Sequence, residues 1–125
     1  LTMYTSPAAG IVTTPYDAML FLKGVFTSSL LQPSTLEELM DTVAITDEIS
    51  DINAVGYGLG LMAWSTDYGF AYGHGGQVWG DRSDGFYFPD QNTTIVIFVN
   101  GAYNNIGKIM SEMRDGLPNL IFGSN

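Results

Sequence analysis

Nine of the chain's fifteen glycines crowd between Gly56 and Gly85, interleaved with both tryptophans and with Tyr57, Tyr68 and Tyr72. Glycine is unfavourable inside a helix, whereas aromatic side chains suit a pleated, half-covered surface. The segment is therefore read as tightly turned antiparallel strands near Gly58–Trp64, Phe70–Gly75 and Gly85–Phe88, with a further strand at Thr94–Asn100. Thr66-Asp67 is the expected hairpin turn, and Pro89-Asp90-Gln91-Asn92 a second one. Proline presets a turn dihedral, and Asp and Asn side chains bond back to the local backbone. The polar run Asp81-Arg82-Ser83-Asp84 is read as a turn with local ion pairing. Ile95–Val99 is apolar on both faces, so its strand is expected to be covered on both sides.

Helices are expected on either flank of this glycine-rich stretch. Thr14-Pro15-Tyr16-Asp17 has a capping hydroxyl, a proline at the first helical position and an acid three residues after the cap. Tyr16, Met19, Leu20, Lys23 and Phe26 follow as a largely apolar stripe at helical spacing. A second start is Ser34-Thr35-Leu36-Glu37, with Leu36, Leu39, Met40 and Val43 as its stripe and Glu37, Glu38 and Asp41 near its positive end. The last helix is placed at about 105–122, with Ile106, Ile109, Met110, Met113 and Leu117 on one side and Pro118 kinking or ending it. The fold class is α+β, an antiparallel sheet flanked by helices. Residues 1–125 read as a single unit: a helical part at about 14–45, a sheet part at about 56–100 and a terminal helix at about 105–122.

Composition narrows the function. Four Lys and Arg stand against thirteen Asp and Glu, a formal charge of −9, which repels phosphates and argues against nucleic acid and anionic membranes as partners. No cysteine is present, which removes disulfides, thiolate zinc sites and a cysteine nucleophile. No uninterrupted apolar run exceeds the length of Ile95–Val99, far short of the roughly 20 residues that a spanning helix needs. The chain opens at Leu1 with neither an initiator Met nor a basic-then-apolar leader, as a mature product, a cut product or a fragment would.

Several chemistries are weighed on local grounds. His74 is the single histidine and cannot alone build a zinc site, so neither a metal nor another cofactor is expected. The glycines around it in Gly73-His74-Gly75-Gly76 let a ligand or a backbone approach closely. The same cluster lacks the Lys and the following helix of a phosphate loop, and Gly56-Tyr57-Gly58-Leu59-Gly60 leads into no helix, so nucleotide binding is set aside. Asp47, Asp51 and Asn53 lack the spacing and turn glycine of a calcium loop and read as a solvated loop. Thirteen acids supply many chance carboxylate pairs, which identify no glycosidase. Asn92-Thr93-Thr94 is a glycosylation acceptor pattern in a turn, with meaning only for a protein secreted by a eukaryote.

The order of motifs is similar to that of the serine β-lactamase-like hydrolases, the branch of class C β-lactamases, D-Ala-D-Ala carboxypeptidases, D-aminopeptidases and related esterases. Ala8-Ala9-Gly10-Ile11-Val12-Thr13-Thr14-Pro15-Tyr16-Asp17 resembles that branch's lead into a helix, A-G-G-L-x-S-T-x-x-D. Tyr57-Gly58-Leu59-Gly60-Leu61 resembles its Y-G-x-G-W/L strand. Gly73-His74-Gly75-Gly76, with Gly80 and Pro89 downstream, resembles G-H-x-G-x-x-P-G…P, and the Val99-Asn100 strand end before a last helix also agrees. The likeness runs from about Ala8 to Phe122 and implies the C-terminal portion of a β-lactamase/penicillin-binding-protein-like transpeptidase fold.

On that resemblance His74-Gly75-Gly76 is the third active-site motif. His74 would donate to the substrate carboxylate or to the reacting group, Gly75 and Gly76 would leave room for the acyl group, and the Gln77 backbone N–H would be one oxyanion donor. Trp79 would join Gly75 and Gly76 in contacting substrate. The family's Ser-x-x-Lys nucleophile motif is missing, because Lys23 and Lys108 are preceded three positions earlier by Leu20 and Asn105. Tyr103-Asn104-Asn105 spells Tyr-x-Asn but follows the third motif, and reads as a turn into the last helix. Asp81 replaces the apolar residue that often follows the glycine matching Gly80.

The resulting expectation is a portion of a serine hydrolase that cleaves an amide or ester. It would be inactive alone, held with the N-terminal part as a companion chain or self-associating, and placed outside the cytoplasm as family members commonly are. The histidine of the third motif leans toward a peptidase or esterase. The alternative is a non-catalytic ligand- or carbohydrate-binding module presenting Trp64, Trp79, Tyr72 and Tyr87.

Overall fold

The computed structural model describes residues 8–27, 30–46, 53–78, 80–101 and 105–123. The Asp47–Asp51 part of the expected acidic loop, Trp79, Tyr103 and Asn104 lie outside them.

Helix α1 spans Pro15–Phe26, and Thr14 caps it as expected. Its hydroxyl accepts from the Asp17 N–H at 3.1 Å and donates to the Asp17 carboxylate at 2.7 Å. The acid thus closes the cap on the threonine side chain rather than reaching back to the backbone. The packed side of α1 differs from the expected stripe. Leu22, Val25 and Phe26 face the sheet, while Tyr16 and Leu20 are exposed. Helix α2, Pro33–Met40, starts from Gln32 with Pro33 in its first turn, and Leu36, Leu39 and Met40 join the same cluster. Val43, assigned by spacing to that stripe, belongs instead to strand β1 (Val43–Ala44) and is exposed.

Among the described residues six strands form one antiparallel sheet in sequence order: β1, β2 (Gly56–Tyr57), β3 (Met62–Thr66), β4 (Gly69–Val78), β5 (Asp81–Phe88) and β6 (Thr93–Asn100). Two expectations are corrected here. Gly58–Leu61 is a tight turn rather than strand, closed by a Gly58 N–H to Leu61 carbonyl bond of 2.8 Å, with Gly60 at a φ of +76°. Asp81–Asp84 is strand rather than turn, since each of its residues pairs with both β4 and β6. The reversal sits one step earlier, enclosed by the Val78–Asp81 pair. The turns at Thr66–Asp67 and Pro89–Asn92 form where their chemistry places them; Tyr68 N–H bonds to the Thr66 hydroxyl, and Asn92 N–H to the Pro89 carbonyl.

The sheet separates two apolar layers. On one face Met62, Trp64, Ala71, Phe86, Phe88, Ile95 and Ile97 meet Met110 of helix α3, Ile106–Phe122. Trp64 and Phe86 touch edge to face at 5.0 Å. On the other face Phe26 stacks on Tyr87 with centroids 4.7 Å apart, and Leu22 and Val25 of α1 with Leu36, Leu39 and Met40 of α2 gather around them. Burying the Phe26 ring contributes about 1.5–3 kcal/mol. Cover on β6 is two-sided only in part: Ile95 and Ile97 are buried, and Phe98 is exposed. Helix α3 continues through Pro118 to Phe122. Its end is tied to the β3–β4 hairpin by Tyr68, whose hydroxyl donates to the Asn119 side chain at 2.9 Å. No helix among the described residues is long and apolar enough to cross a membrane.

Backbone closeness between β4 and β5 sets a sharp sequence requirement. A Cβ on Gly73 would collide with the Gly85 carbonyl, whereas one on Gly76 would meet nothing within 4 Å. Gly73→Ala is therefore expected to destabilise the chain by about 1–3 kcal/mol, and Gly76→Ala by less than about 0.5 kcal/mol. Urea unfolding followed by tryptophan fluorescence checks the pair.

Candidate active site

β4 is ten residues long and β3 only five. Their ladder ends at the Met62–Gly73 pair, while β4 stays paired to β5 from Tyr72 to Val78. Among the described residues, then, His74, Gly75, Gly76, Gln77 and Val78 have a strand on one side and an open edge on the other. In an antiparallel ladder alternate residues turn their N–H and C=O groups to opposite sides. The overhang consequently offers unpaired backbone donors and acceptors to whatever lies beside it.

Each expected site residue has a definite place on this overhang, Trp79 excepted. His74, Gly76 and Gln77 are exposed and Gly75 is half-buried. His74 lies on the α1 side of the sheet, opposite Gly85 of β5. Its Nε2 is 3.1 Å from the Tyr57 hydroxyl, and the two rings meet edge to face at 5.9 Å. Two glycine-flanked segments seventeen residues apart are thereby joined at their polar groups. The bracketing glycines were the only sequence hint of that contact.

Beneath the overhang, on the α3 side, lies a feature that the sequence reading did not assemble. The Asp84 carboxylate occupies the space that a side chain at position 75 would need, so Gly75 is required there. Asp84 is buried, and Arg114 of α3 approaches with Nη1 3.9 Å from Oδ2. The Arg114 guanidinium also stands 6.0 Å from the Trp64 ring centre. Its position was legible in principle. Arg114 falls four residues after Met110 and eight after Ile106 on the buried stripe, where a cation calls for an anionic partner.

Burial pushes the Asp84 carboxyl above its ordinary value of 3.8, against the opposing pull of Arg82, Arg114 and His74. Burial prevails because Oδ2 has no hydrogen bond among the described residues and its nearest cation is beyond hydrogen-bonding distance.

Of the aromatic residues of the binding-module alternative, the three that are described, Trp64, Tyr72 and Tyr87, do not share a surface. Trp64 is buried on the α3 face, and Tyr87 is buried against Phe26 on the other face beside half-buried Tyr72. Trp64 pairs with Ala71 of β4 and Tyr87 with the next residue, Tyr72, so alternation along β4 puts Trp64 on one face and both tyrosines on the other. A cavity of about 320 Å³ between α3 and the β3–β4 hairpin lies on the face opposite His74, lined by Trp64, Ala71, Arg114 and Asn119. Among the described residues no three His, Cys, Asp or Glu side chains converge as a metal site.

A sequence model of the family described as Beta-lactamase matches residues 1–112. No curated protein sequence matches the chain. Solved structures do. A D-stereospecific amidohydrolase from Streptomyces sp. is 29% identical, with a TM-score of 0.63, over 78% of this chain and 28% of that one. D-amino acid amidase from Ochrobactrum anthropi SV3, complexed with L-phenylalanine, gives a TM-score of 0.77 at 23% identity, covering 88% of this chain and 32% of that chain. The same amidase complexed with L-phenylalanine amide gives 0.70 at 19% identity, over 88% and 33%. The two amidase structures establish the likeness of fold alone, and the chain spans about a third of their length.

Asp84 yields a pH prediction with a definite sign. A carboxyl whose folded pKa is raised favours the folded state while protonated. That stability is complete below pH 3.8 and is lost as pH rises through the higher folded value. Asp84→Asn should flatten this decline, narrowing the stability gap to the wild type as pH rises from about 3.5. Thermal unfolding of both proteins across pH 3.5–7 checks it; parallel curves would contradict the assignment.

Proposed function

The chain belongs to the beta-lactamase family, and from that premise we propose that it forms one wall of a serine hydrolase active site. The parent protein cleaves an amide or ester through an acyl-enzyme, and its Ser-x-x-Lys nucleophile lies in sequence outside these 125 residues. The observation that carries this reading is the edge of β4 at His74-Gly75-Gly76-Gln77, which among the described residues is paired to β5 on one side only.

Each part of the overhang has a chemical task in this reading. The edge receives the extended substrate as an added strand, by backbone hydrogen bonds. His74 donates to an acceptor oxygen on the substrate. Gly76, with no neighbour within 4 Å of a Cβ position, leaves space for the acyl group. The Gln77 N–H contributes to an oxyanion hole, whose donors act where negative charge develops on the tetrahedral intermediate. Electrostatic assistance without a nucleophile gives little catalysis, so the chain alone is inactive. An amide substrate is favoured over a β-lactam, in keeping with a D-stereospecific amidohydrolase and a D-amino acid amidase as structural relatives.

The N-terminal part of the protein covers the outer side of α1, where Tyr16, Leu20 and Phe21 are exposed beside Ile11 and Val12. The chain's coverage of only about a third of its structural relatives supports this docking. Apolar exposure of that kind drives association. An extracytoplasmic location accompanies the family reading.

Two experiments test the proposal. In the parent protein a fluorescent fluorophosphonate should label a serine outside Leu1–Asn125, and His74→Ala should slow that labelling by about 10²-fold, the range in which loss of a preorganised donor falls. Absence of a labelled serine, or an unchanged rate in the variant, contradicts it. By size exclusion, residues 1–125 alone should self-associate; a monodisperse 13.6 kDa monomer argues against the docking role of α1.

A further inference from the structure

We infer that Tyr57 is a positioning residue for His74, donating its hydroxyl hydrogen to Nε2 and thereby holding the imidazole in the tautomer that carries its proton on Nδ1. The geometry is direct: the Tyr57 hydroxyl and His74 Nε2 are 3.1 Å apart, and the rings are near-perpendicular at 78°. The two residues reach this contact from rigid frames. Tyr57 ends β2, is half-buried, and packs against the α3-side core, with Met62 as its ladder partner. His74 sits on the overhang one residue past the last β3 pair.

A neutral imidazole has one donor nitrogen and one acceptor, and the partner of one nitrogen decides which carries the hydrogen. A phenol hydroxyl is a ready donor, and an unprotonated imidazole nitrogen is a better acceptor than a phenol oxygen. The hydrogen in the shared bond therefore belongs to Tyr57, and the imidazole proton goes to Nδ1. Among the described residues Nδ1 has no hydrogen-bond partner. The ring thus presents one defined N–H, suited to an acceptor such as a carbonyl or carboxylate oxygen. Without Tyr57 the imidazole would turn freely on the exposed strand and divide its population between tautomers. Only this last consequence, that the N–H meets substrate, rests on the hydrolase reading; the tautomer itself does not.

His74 is the chain's single histidine, so its ring nitrogens can be read without assignment ambiguity. The test is a long-range proton–nitrogen correlation spectrum of the nitrogen-15-labelled chain at about pH 8.5, where an imidazole is neutral. The expected result is a protonated-type Nδ1 and an unprotonated-type Nε2. In Tyr57→Phe, which keeps the ring and removes only the hydroxyl, the Nδ1–H to Nε2–H ratio should fall about fivefold, the factor supplied by one net hydrogen bond of ordinary strength. A wild-type ring protonated on Nε2 overturns the inference by itself, whatever the variant does. A variant ratio equal to that of the wild type overturns it as well. Neither result depends on fluorophosphonate labelling, so a failure of the hydrolase reading is seen separately.

Discussion

The length mismatch between β3 and β4 is the constraint on which the rest depends. Had β3 continued beyond its pairing of Met62 with Gly73, the third-motif segment would be an interior strand with its backbone groups consumed. It goes no further because Met62 is its first residue: the Gly58–Leu61 turn brings the chain out of β2 and into β3 only there. The same turn sets Tyr57 within reach of His74. One tight turn thus clears the edge of β4 and orients its histidine.

An overhanging strand needs support from below, and β5 supplies it. Every residue from Tyr72 to Val78 has a partner in β5, which is in turn fully paired with β6. Glycines along β4 would weaken an isolated strand. Here they permit close approach: Gly73 to the Gly85 carbonyl and Gly75 to the Asp84 carboxylate. Asp84 and Arg114 link that layer to α3, though at 3.9 Å the pair lacks a hydrogen bond. Both side chains are buried, so desolvation offsets much of their attraction, and the pair fixes geometry more than it adds stability.

Much of this was legible in the sequence because it depends on local chemistry. The Thr14 cap, the two polar turns, the last helix and the order of three motifs all rest on residues close together in the chain. The failures share a cause. Asp81–Asp84 looks like a turn until β4 and β6 are known to flank it, since ladder bonds between distant segments outweigh local turn preference. The packed side of α1 was misjudged because an apolar surface on both sides of a helix does not say which side meets the sheet; Tyr16 and Leu20 face outward, and Leu22 and Val25 inward. The Tyr57–His74 and Asp84–Arg114 contacts join residues seventeen and thirty positions apart, and only the register of the sheet and the packing of α3 on it bring them together.

The central claim is that the β4 overhang lines an acyl-transfer site. A crystal structure of the parent protein acylated by a phosphonate transition-state mimic tests it most directly. The account predicts the anionic phosphonyl oxygen about 2.7–3.1 Å from the Gln77 nitrogen, with the mimic lying along the open edge of β4 beside His74. A mimic bound elsewhere, with the overhang facing solvent or covered by a strand of the protein's own, would contradict it.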